Sequence, residues 1–525
     1  MSYDAIVIGG GHNGLVNAAY LAKAGRKTLV LERRHVVGGA AVTEELHPGF
    51  NFTTFSYAIS LLRPDIVHDL DLVKHGMMVM PLTHHFAPMD NGDYLLLGPD
   101  DGENYHEIAR HSAEDAEAYR DYGTLMDRVV HAVQPLLDEI PPNIVSTDPV
   151  ELAAVARLGG HLRSLDPKVL HMLVRLLTGS AADILDEYFE TEVLKGLMAS
   201  SGIIGTKVGP YSQGSGLVLL YHVMGEIDGV FGEWGFHKGG NGGFTQAVAR
   251  AAQALGAEIR TEASVSNVIT RNGEAVGVAL ESGEELYADV VVSALDPRRT
   301  FLQFVDRREL PTDLVEGIES FKFQGTSAKV NFALDALPKY PALGDRTDQY
   351  QGFINIGPSM RYLERAFDDA KYGWYSSKPF IDGCIQSVLD PDMSPPGKHI
   401  MSCFVQYAPY HLEGSDWDTE KDNFGDTVQS VLEDHFPGFG DLILHREVVT
   451  PLDIERTIGL SEGNIFAGEF LTPQMFLFRP APGWNQYRTP IKGYYQCGSG
   501  THPGGCVMGA PGKLAARQIL GDTAP

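Results

Sequence analysis

Residues Tyr3–Gly14 read YDAIVIGGGHNG. The apolar run Tyr3–Ile8 is short and rich in branched residues, the pattern of a parallel strand buried on both faces. Gly9–Gly14 follows at once and fits G-x-G-x-x-G. Helix formers from Asn13 to Ala24, with apolar residues at Leu15, Ala18, Ala19, Leu21 and Ala22, stop at Gly25. A second strand, Lys27–Leu31, ends in Glu32. In this order each part has a task. Gly9 permits a tight turn, Gly11 lets backbone approach a pyrophosphate, and Gly14 lets helix and strand pack closely. The helix amino terminus, with His12 and Asn13 in its loop, faces the phosphates. Glu32 is placed to accept hydrogen bonds from ribose hydroxyls. The pattern predicts an α/β protein with a Rossmann-type dinucleotide domain and leaves NAD and FAD both open.

The residues after Glu32 separate the two. The run Glu32-Arg33-Arg34-His35-Val36-Val37-Gly38-Gly39-Ala40-Ala41 resembles the E-x-R-x-x-x-G-G motif of the flavoprotein superfamily that contains monoamine oxidases and phytoene desaturases. The resemblance implies FAD as cofactor. Of the basic pair Arg33 and Arg34, it lays Arg34 along the adenosine, and it brings Gly38 and Gly39 close to the phosphates. Ala40-Ala41 stands where amine oxidases usually carry Arg-Thr, as in many desaturase-like members.

A second match closes the chain. Gly498–Gly509 reads GSGTHPGGCVMG and resembles the G-x-G-T-H-P-G-G-G-V-x-G signature of phytoene desaturase-like proteins. A strand, Tyr494–Cys497, precedes it and a helix, Ala510–Leu520, follows. The resemblance implies that the loop crosses the ribityl chain, with Gly500, Gly505, Val507 and Met508 against the flavin. The helix amino terminus then faces the flavin pyrimidine, where it stabilises negative charge. His502 reads either as a proton carrier or as a residue shaping the turn before Pro503. Cys506, where the signature has glycine, reads as a flavin tether or as a bystander. In the middle of the chain, His237–Gly243 introduces a helix and a run of strands ending in Asp289–Ala294. No strand is expected directly before that glycine loop and no ribose acid follows it, which argues against a second dinucleotide site. The resemblance places Val265 against adenine and Ser293 near the adenosine end.

The same resemblance implies a discontinuous FAD-binding domain, 1–76, 235–300 and 488–525. It also implies an α+β substrate domain, 77–234 and 301–487, built as a mixed sheet under a helical cap. The first insertion reads as mostly helical, most clearly in Asp115–Ile140, where Tyr119, Tyr122, Leu125, Met126, Val129, Val130 and Val133 share a face. Leu152–Leu158, Val169–Leu177 and Glu192–Ser200 continue the pattern. Thr326–Leu334, Phe380–Leu389 and Ile400–Tyr407 read as strands. Lys329 alternates with Ala328 and Val330. It is either a cavity lysine, as in amine oxidases, or a residue blunting a sheet edge. Phe470–Phe478 reads as core or as the wall of an apolar entrance. Trp484, Tyr487 and Tyr494 are further candidates for the flavin face.

Composition narrows the function. A chain of 525 residues exceeds one ordinary core, and about two domains are expected. Its 68 acids against 41 bases give a formal charge of −27, which repels nucleic acid and anionic headgroups. No stretch reaches the roughly 20 apolar residues that span a bilayer. A strand from Tyr3 leaves no room for a signal peptide, so a cytoplasmic location is expected, with peripheral membrane contact through an apolar patch left open. The four cysteines form no C-x-x-C pair, and none precedes Cys384. That excludes flavin-disulfide reductase chemistry and argues against a disulfide framework or a zinc site.

The resemblance covers essentially the whole chain. Leu452–Arg456, Asn464–Phe466 and Thr501–Gly505 bring it nearest to the branch of pyridine nucleotide-disulfide oxidoreductase domain-containing proteins of type two. It implies a dehydrogenase or desaturase that removes hydride from a C–H bond of an apolar substrate, polyene or isoprenoid, with oxygen or a quinone as acceptor. A redox-neutral polyene isomerase is a close variant, and a flavin amine oxidase is the alternative. Rab GDP dissociation inhibitors share the fold as binding proteins, but the intact Gly498–Gly509 loop argues against that use.

Overall fold

Two seven-stranded sheets organise the chain in a computed structural model that describes residues 2–227 and 229–524. The first sheet runs Glu258–Arg260, Thr28–Leu31, Tyr3–Ile8, Glu285–Ser293, Glu274–Leu280, Val265–Arg271, with Tyr494–Gln496 added beside Glu285–Ser293. Tyr3–Ile8 sits in the middle, parallel to both neighbours. Ile6, Val7, Leu29 and Val30 are fully buried there, each contributing about 1.5–3 kcal/mol of burial. Glu285–Ser293 is one strand where two were expected. Its first residues are half exposed and pair antiparallel with Glu274–Leu280, whereas Val290–Ser293 is buried and parallel to Tyr3–Ile8. The burial pattern changes midway without any turn residue.

The two ends of the chain meet on this sheet. Helix His12–Lys23 packs on the last helix, Ala510–Asp522. Gly512 makes that approach possible, because a Cβ there would lie 2.2 Å from the Asn13 carbonyl oxygen. Asn17 ties the two together, its amide donating to the Gly512 carbonyl at 3.0 Å.

The second sheet runs Ile443–Val449, Ser327–Leu334, His399–Gln406, Phe380–Cys384, Phe353–Ile356, His85–Pro88, Tyr94–Leu97. The last two strands, together with Val79–Leu82, lie in a segment expected to be helical. Each is four residues long, too short to display a period of two, and two of the three contain proline. Helices Ala113–Val133, Pro167–Thr178, Ala181–Tyr188, Glu192–Ser200 and Ser215–Val223 form the cap. Ser112, Asp166 and Ser180 cap three of them by accepting backbone N–H bonds. Tyr122, Met126, Val129 and Val130 point from the first into the cap's core.

Helix Pro149–Ser164 departs from the expected pattern: none of its residues is buried, and Val150 and Leu152 are exposed. Only Leu162, partly buried, packs against the cap's core. Among the described residues, no helix is long and apolar enough to cross a membrane.

Candidate functional site

Gly9 adopts φ +97°, in the left-handed region that glycine tolerates, and turns the chain from strand into helix. Gly14 allows helix and strand to touch; a Cβ there would lie 2.1 Å from the Gly9 carbonyl oxygen. Gly11 differs. Its φ of −69° suits any residue, and an added Cβ would meet only the Gly39 Cα, at 3.9 Å. Gly11 and Gly39 thus pack backbone to backbone beside the cleft that both line, joined by a bridge from Gly11 to Gly38. Glu32 accepts from the Gly10 and Arg34 N–H groups at 2.8 and 2.9 Å, which fixes its carboxylate at the end of the second strand.

The cleft has unspent polar capacity. His12 Nε2, Asn13 Oδ1 and Arg34 Nη1 are buried without partners, and all three residues line it. Orphaned buried polar atoms at the start of a helix are what a polar dinucleotide would satisfy. The residues present therefore fit the cofactor. Gly9, Gly11, His12, Asn13, Glu32, Arg34, Gly39 and Ala40 line one side, and Val507, with Ser499 and Cys506, lines the other.

Other expected residues stand back from the cleft. Arg33 donates to the Arg456 and Thr457 carbonyls and holds a neighbouring helix. Gly38 and Ala41 shape the turn behind Gly39, where Thr245 donates to the Ala41 carbonyl. Val265 is in the outer hairpin of the sheet, paired with Leu280. The Ser293 hydroxyl contacts Thr300 Oγ1 at 2.8 Å. Gly500 and Gly505 serve close packing: a Cβ would strike Pro297 at 2.2 Å in one case and Phe466 at 2.5 Å in the other. Met508 is fully buried beside the Tyr221 hydroxyl.

His502 does not face the cavity. Its Nε2 is 2.9 Å from the Leu136 carbonyl, its ring meets Phe476 edge-on, and burial pushes its pKa down to about 4. The proton-carrier reading is corrected: a ring turned to a loop carbonyl holds the turn. Cys506 has φ +69°, which explains why glycine suits that place in the signature, and burial pushes its thiol up to about 12. Trp484, Tyr487 and Tyr494 also lie off the cavity; the Tyr487 hydroxyl donates to the His502 carbonyl and that of Tyr494 to the Thr300 carbonyl. None of Phe470–Phe478 lines the cavity, and Phe470 is core against Tyr221; Ile465, Phe466 and Ala467, just before that segment, line it instead.

The cleft continues without a partition into a cavity under the helical cap, about 410 Å³ in all. Leu61, Leu197, Met198, Ile204, Leu219 and Phe466 make much of it apolar. Tyr119 and Tyr122, which the helical pattern assigned to a core face, reach the cavity as well.

The floor is the second sheet. Lys329 lies in Ser327–Leu334, a strand buried along its whole length between two neighbours, so it is no edge residue. Register then aligns four side chains. Asn355 pairs with Asp382, Asp382 with Phe404, and Phe404 with Lys329, across four adjacent strands. Directly paired residues point to the same face of a sheet. All four line the cavity. Tyr57 donates to Asp382 Oδ2 at 2.5 Å and Asn355 Nδ2 to Oδ1 at 2.7 Å. The Lys329 ammonium donates to Ser402 Oγ at 2.6 Å and lies 4.1 Å from the Tyr57 ring centroid.

Burial disfavours both charges in this row. It pushes Asp382 up to about 7 and Lys329 down to about 7. Because the Asp382 value is raised on folding, its contribution to stability is full below the ordinary 3.8 and is lost as pH rises through about 7. That of Lys329 is present above the ordinary 10.5 and lost as pH falls through about 7, so it is constant across the interval in which Asp382 changes. Wild type should therefore lose stability relative to Asp382→Asn between about pH 4 and pH 7. Thermal unfolding of both across that range checks this, and parallel curves would refute it.

Comparison with known proteins fits this geometry. The model of the flavin containing amine oxidoreductases matches residues 117–520, and that of an NAD(P)-binding Rossmann-like domain matches residues 7–70. The chain is 42% identical to the pyridine nucleotide-disulfide oxidoreductase domain-containing protein 2 of Rattus norvegicus, over 99% of this chain and 94% of that one. It is 25% identical to the lycopene-forming phytoene desaturase of a Paracoccus species, over 99% and 98%. Cyclohexylamine oxidase from Brevibacterium oxydans, 17% identical, has the same fold, with a TM-score of 0.56 over 99% of this chain and 98% of that one.

Proposed function

Because this chain belongs to the flavin containing amine oxidoreductases and is an FAD-dependent oxidoreductase, we propose that it is a dehydrogenase of the desaturase type, acting on a C–H bond of a largely apolar substrate. The observation that carries this reading is the continuity of the dinucleotide cleft with the apolar cavity. Bound FAD supplies the hydride acceptor, and oxygen or a quinone regenerates it. The protein's own residues do the rest. Arg34, His12 and Asn13 would hold the dinucleotide through their unpartnered atoms, and Gly11 and Gly39 leave it room. Leu61, Leu197, Ile204, Leu219 and Phe466 orient an apolar chain and exclude water from it. Lys329 is held by Ser402 at the cavity floor, where its amine can position the reacting part of the substrate or a water.

The kinship to a phytoene desaturase supports an isoprenoid or polyene, and by the same token a redox-neutral isomerisation of one. One observation favours an amine oxidase as second reading: the Tyr57 and Phe404 rings lie 23° from parallel with centroids 6.3 Å apart, an aromatic wall fit for an amine. Ala40-Ala41, where amine oxidases usually carry Arg-Thr, weighs against it. Anaerobic mixing of the FAD-loaded protein with polyenes, isoprenoids and amines separates these readings. Loss of the yellow colour with an isoprenoid is the expected result, and conversion without loss of colour marks the isomerase. Bleaching by amines alone would overturn the proposal.

A further inference from the structure

The cavity is apolar along most of its wall, yet one end of its floor is not. There the row Asn355, Asp382, Phe404 and Lys329 crosses four strands, with Tyr57 above it. Asp382, Lys329 and Asn355 are 5%, 2% and 6% exposed, so water does little to satisfy them. Asp382 and Lys329 do not neutralise each other directly. The strand of Phe404 lies between theirs, which sets their backbones roughly 10 Å apart. The Lys329 hydrogen bond goes to Ser402 instead, and Asn355 Oδ1 is buried near the His85 ring without a hydrogen bond of good geometry.

We propose that this row is a head-group subsite for a hydroxyl, so that the substrate is an apolar molecule carrying an alcohol and not a pure hydrocarbon. The inference rests on the cavity being the substrate site of the proposed dehydrogenase. A hydrocarbon filling this end would expel water and leave the Lys329 N–H groups that Ser402 does not take, and the Asn355 oxygen, without a good acceptor or donor, which is costly in a low dielectric. An ammonium head drawn to Asp382 would be opposed by Lys329, and a carboxylate head drawn to Lys329 would be opposed by Asp382, so neither ion gains from the row as a whole. A carbonyl accepts from Lys329 but offers nothing to Asn355 Oδ1. A hydroxyl donates to the acceptor side of the row and accepts from Lys329, without adding charge. The burial that pushes both ionisable groups toward neutrality acts in the same direction.

The test uses the FAD-loaded protein and four probes of one chain length: octane, 1-octanol, octylammonium and octanoate. Binding is read from the perturbation of the flavin absorbance and from the rise in unfolding temperature. The expected result is that 1-octanol binds about tenfold tighter than octane and than either ion. Asp382→Leu should bring 1-octanol to within about threefold of octane. Asn355→Leu probes the same row from the neighbouring strand and is read in the same way, should Asp382→Leu fail to fold. Equal binding of octane and 1-octanol to wild type would overturn the subsite. Preference for octylammonium or octanoate would overturn the hydroxyl while leaving the apolar cavity in place. If none of the four binds, the apolar-substrate reading itself falls, and the subsite with it.

Discussion

Gly11→Ala will yield a folded protein that purifies without yellow colour, whereas Gly14→Ala will yield little folded protein. The two positions share one loop and one residue type, but they spend their missing side chains differently. At Gly14 a Cβ would sit 2.1 Å from the Gly9 carbonyl oxygen and 2.9 Å from Ala294 Cβ. Relief would require moving the first strand or the first helix against the buried centre of the sheet, and overpacking of that kind costs about 1–3 kcal/mol or more. At Gly11 the backbone is already in an extended conformation open to alanine, with only the Gly39 Cα nearby at 3.9 Å. An alanine there even narrows the unfolded ensemble, a gain of about 0.4–1 kcal/mol. Its methyl group would lie against Gly39 beside the cleft that both glycines line, where backbone must approach the pyrophosphate. A methyl wedged into that contact costs about 1–3 kcal/mol of binding, tenfold or more in FAD affinity at the upper end. Visible spectra report the flavin, and circular dichroism with thermal unfolding reports the fold. A Gly11→Ala variant as yellow as wild type would refute the cleft assignment, and a stable Gly14→Ala variant would refute the packing argument.

That contrast marks what the sequence made legible. The Gly9–Gly14 loop, Glu32, Arg34 and the Gly498–Gly509 loop are contiguous stretches in which spacing itself carries the geometry. For Lys329, alternation with apolar neighbours along a single strand left cavity and sheet edge both open, and only the two flanking strands exclude the edge. The rest of its row was not legible. Asn355, Asp382 and Phe404 come from three other strands, and only pairing register brings them together. Taken alone, Asp382 in Phe380–Cys384 is a polar interruption of a short apolar run. The signal that could have found it is an acid in a strand buried along its whole length, since a buried acid needs donors such as Tyr57 and Asn355. His502 failed in the opposite way. Its residue type invites chemistry, but a one-dimensional pattern does not say which way a ring turns. The apolar positions of Pro149–Ser164 likewise predict a buried face, and periodicity cannot tell whether a partner surface exists within the chain.

Arg479→Met will be among the most destabilising single substitutions in the chain, at about 4 kcal/mol or more. Arg479 is fully buried, and burial pushes its guanidinium only down to about 10, so it remains a cation at neutral pH. Its hydrogen bonds run to backbone carbonyls. Nη2 donates to Phe466, Gly468 and Ser499 at 2.8, 3.1 and 3.0 Å, and Nη1 to Gln474 and Glu469 at 3.2 and 3.4 Å. The Phe321 and Phe470 rings each have their centroid 5.5 Å from it. One planar fork thus ties the cavity wall at Phe466 to the closing loop at Ser499. Methionine fills similar space but leaves those carbonyls unsatisfied, at about 1–3 kcal/mol for each that finds no new donor. Lysine keeps the charge but not the fork, and should restore less than half of the loss. Urea unfolding should show a lower midpoint with an unchanged slope. Flavin should be lost together with stability in Arg479→Met, unlike Gly11→Ala, where it is lost alone. A midpoint for Arg479→Met within about 1 kcal/mol of wild type would mean that water or a rearranged loop satisfies the carbonyls, and that the clamp is dispensable.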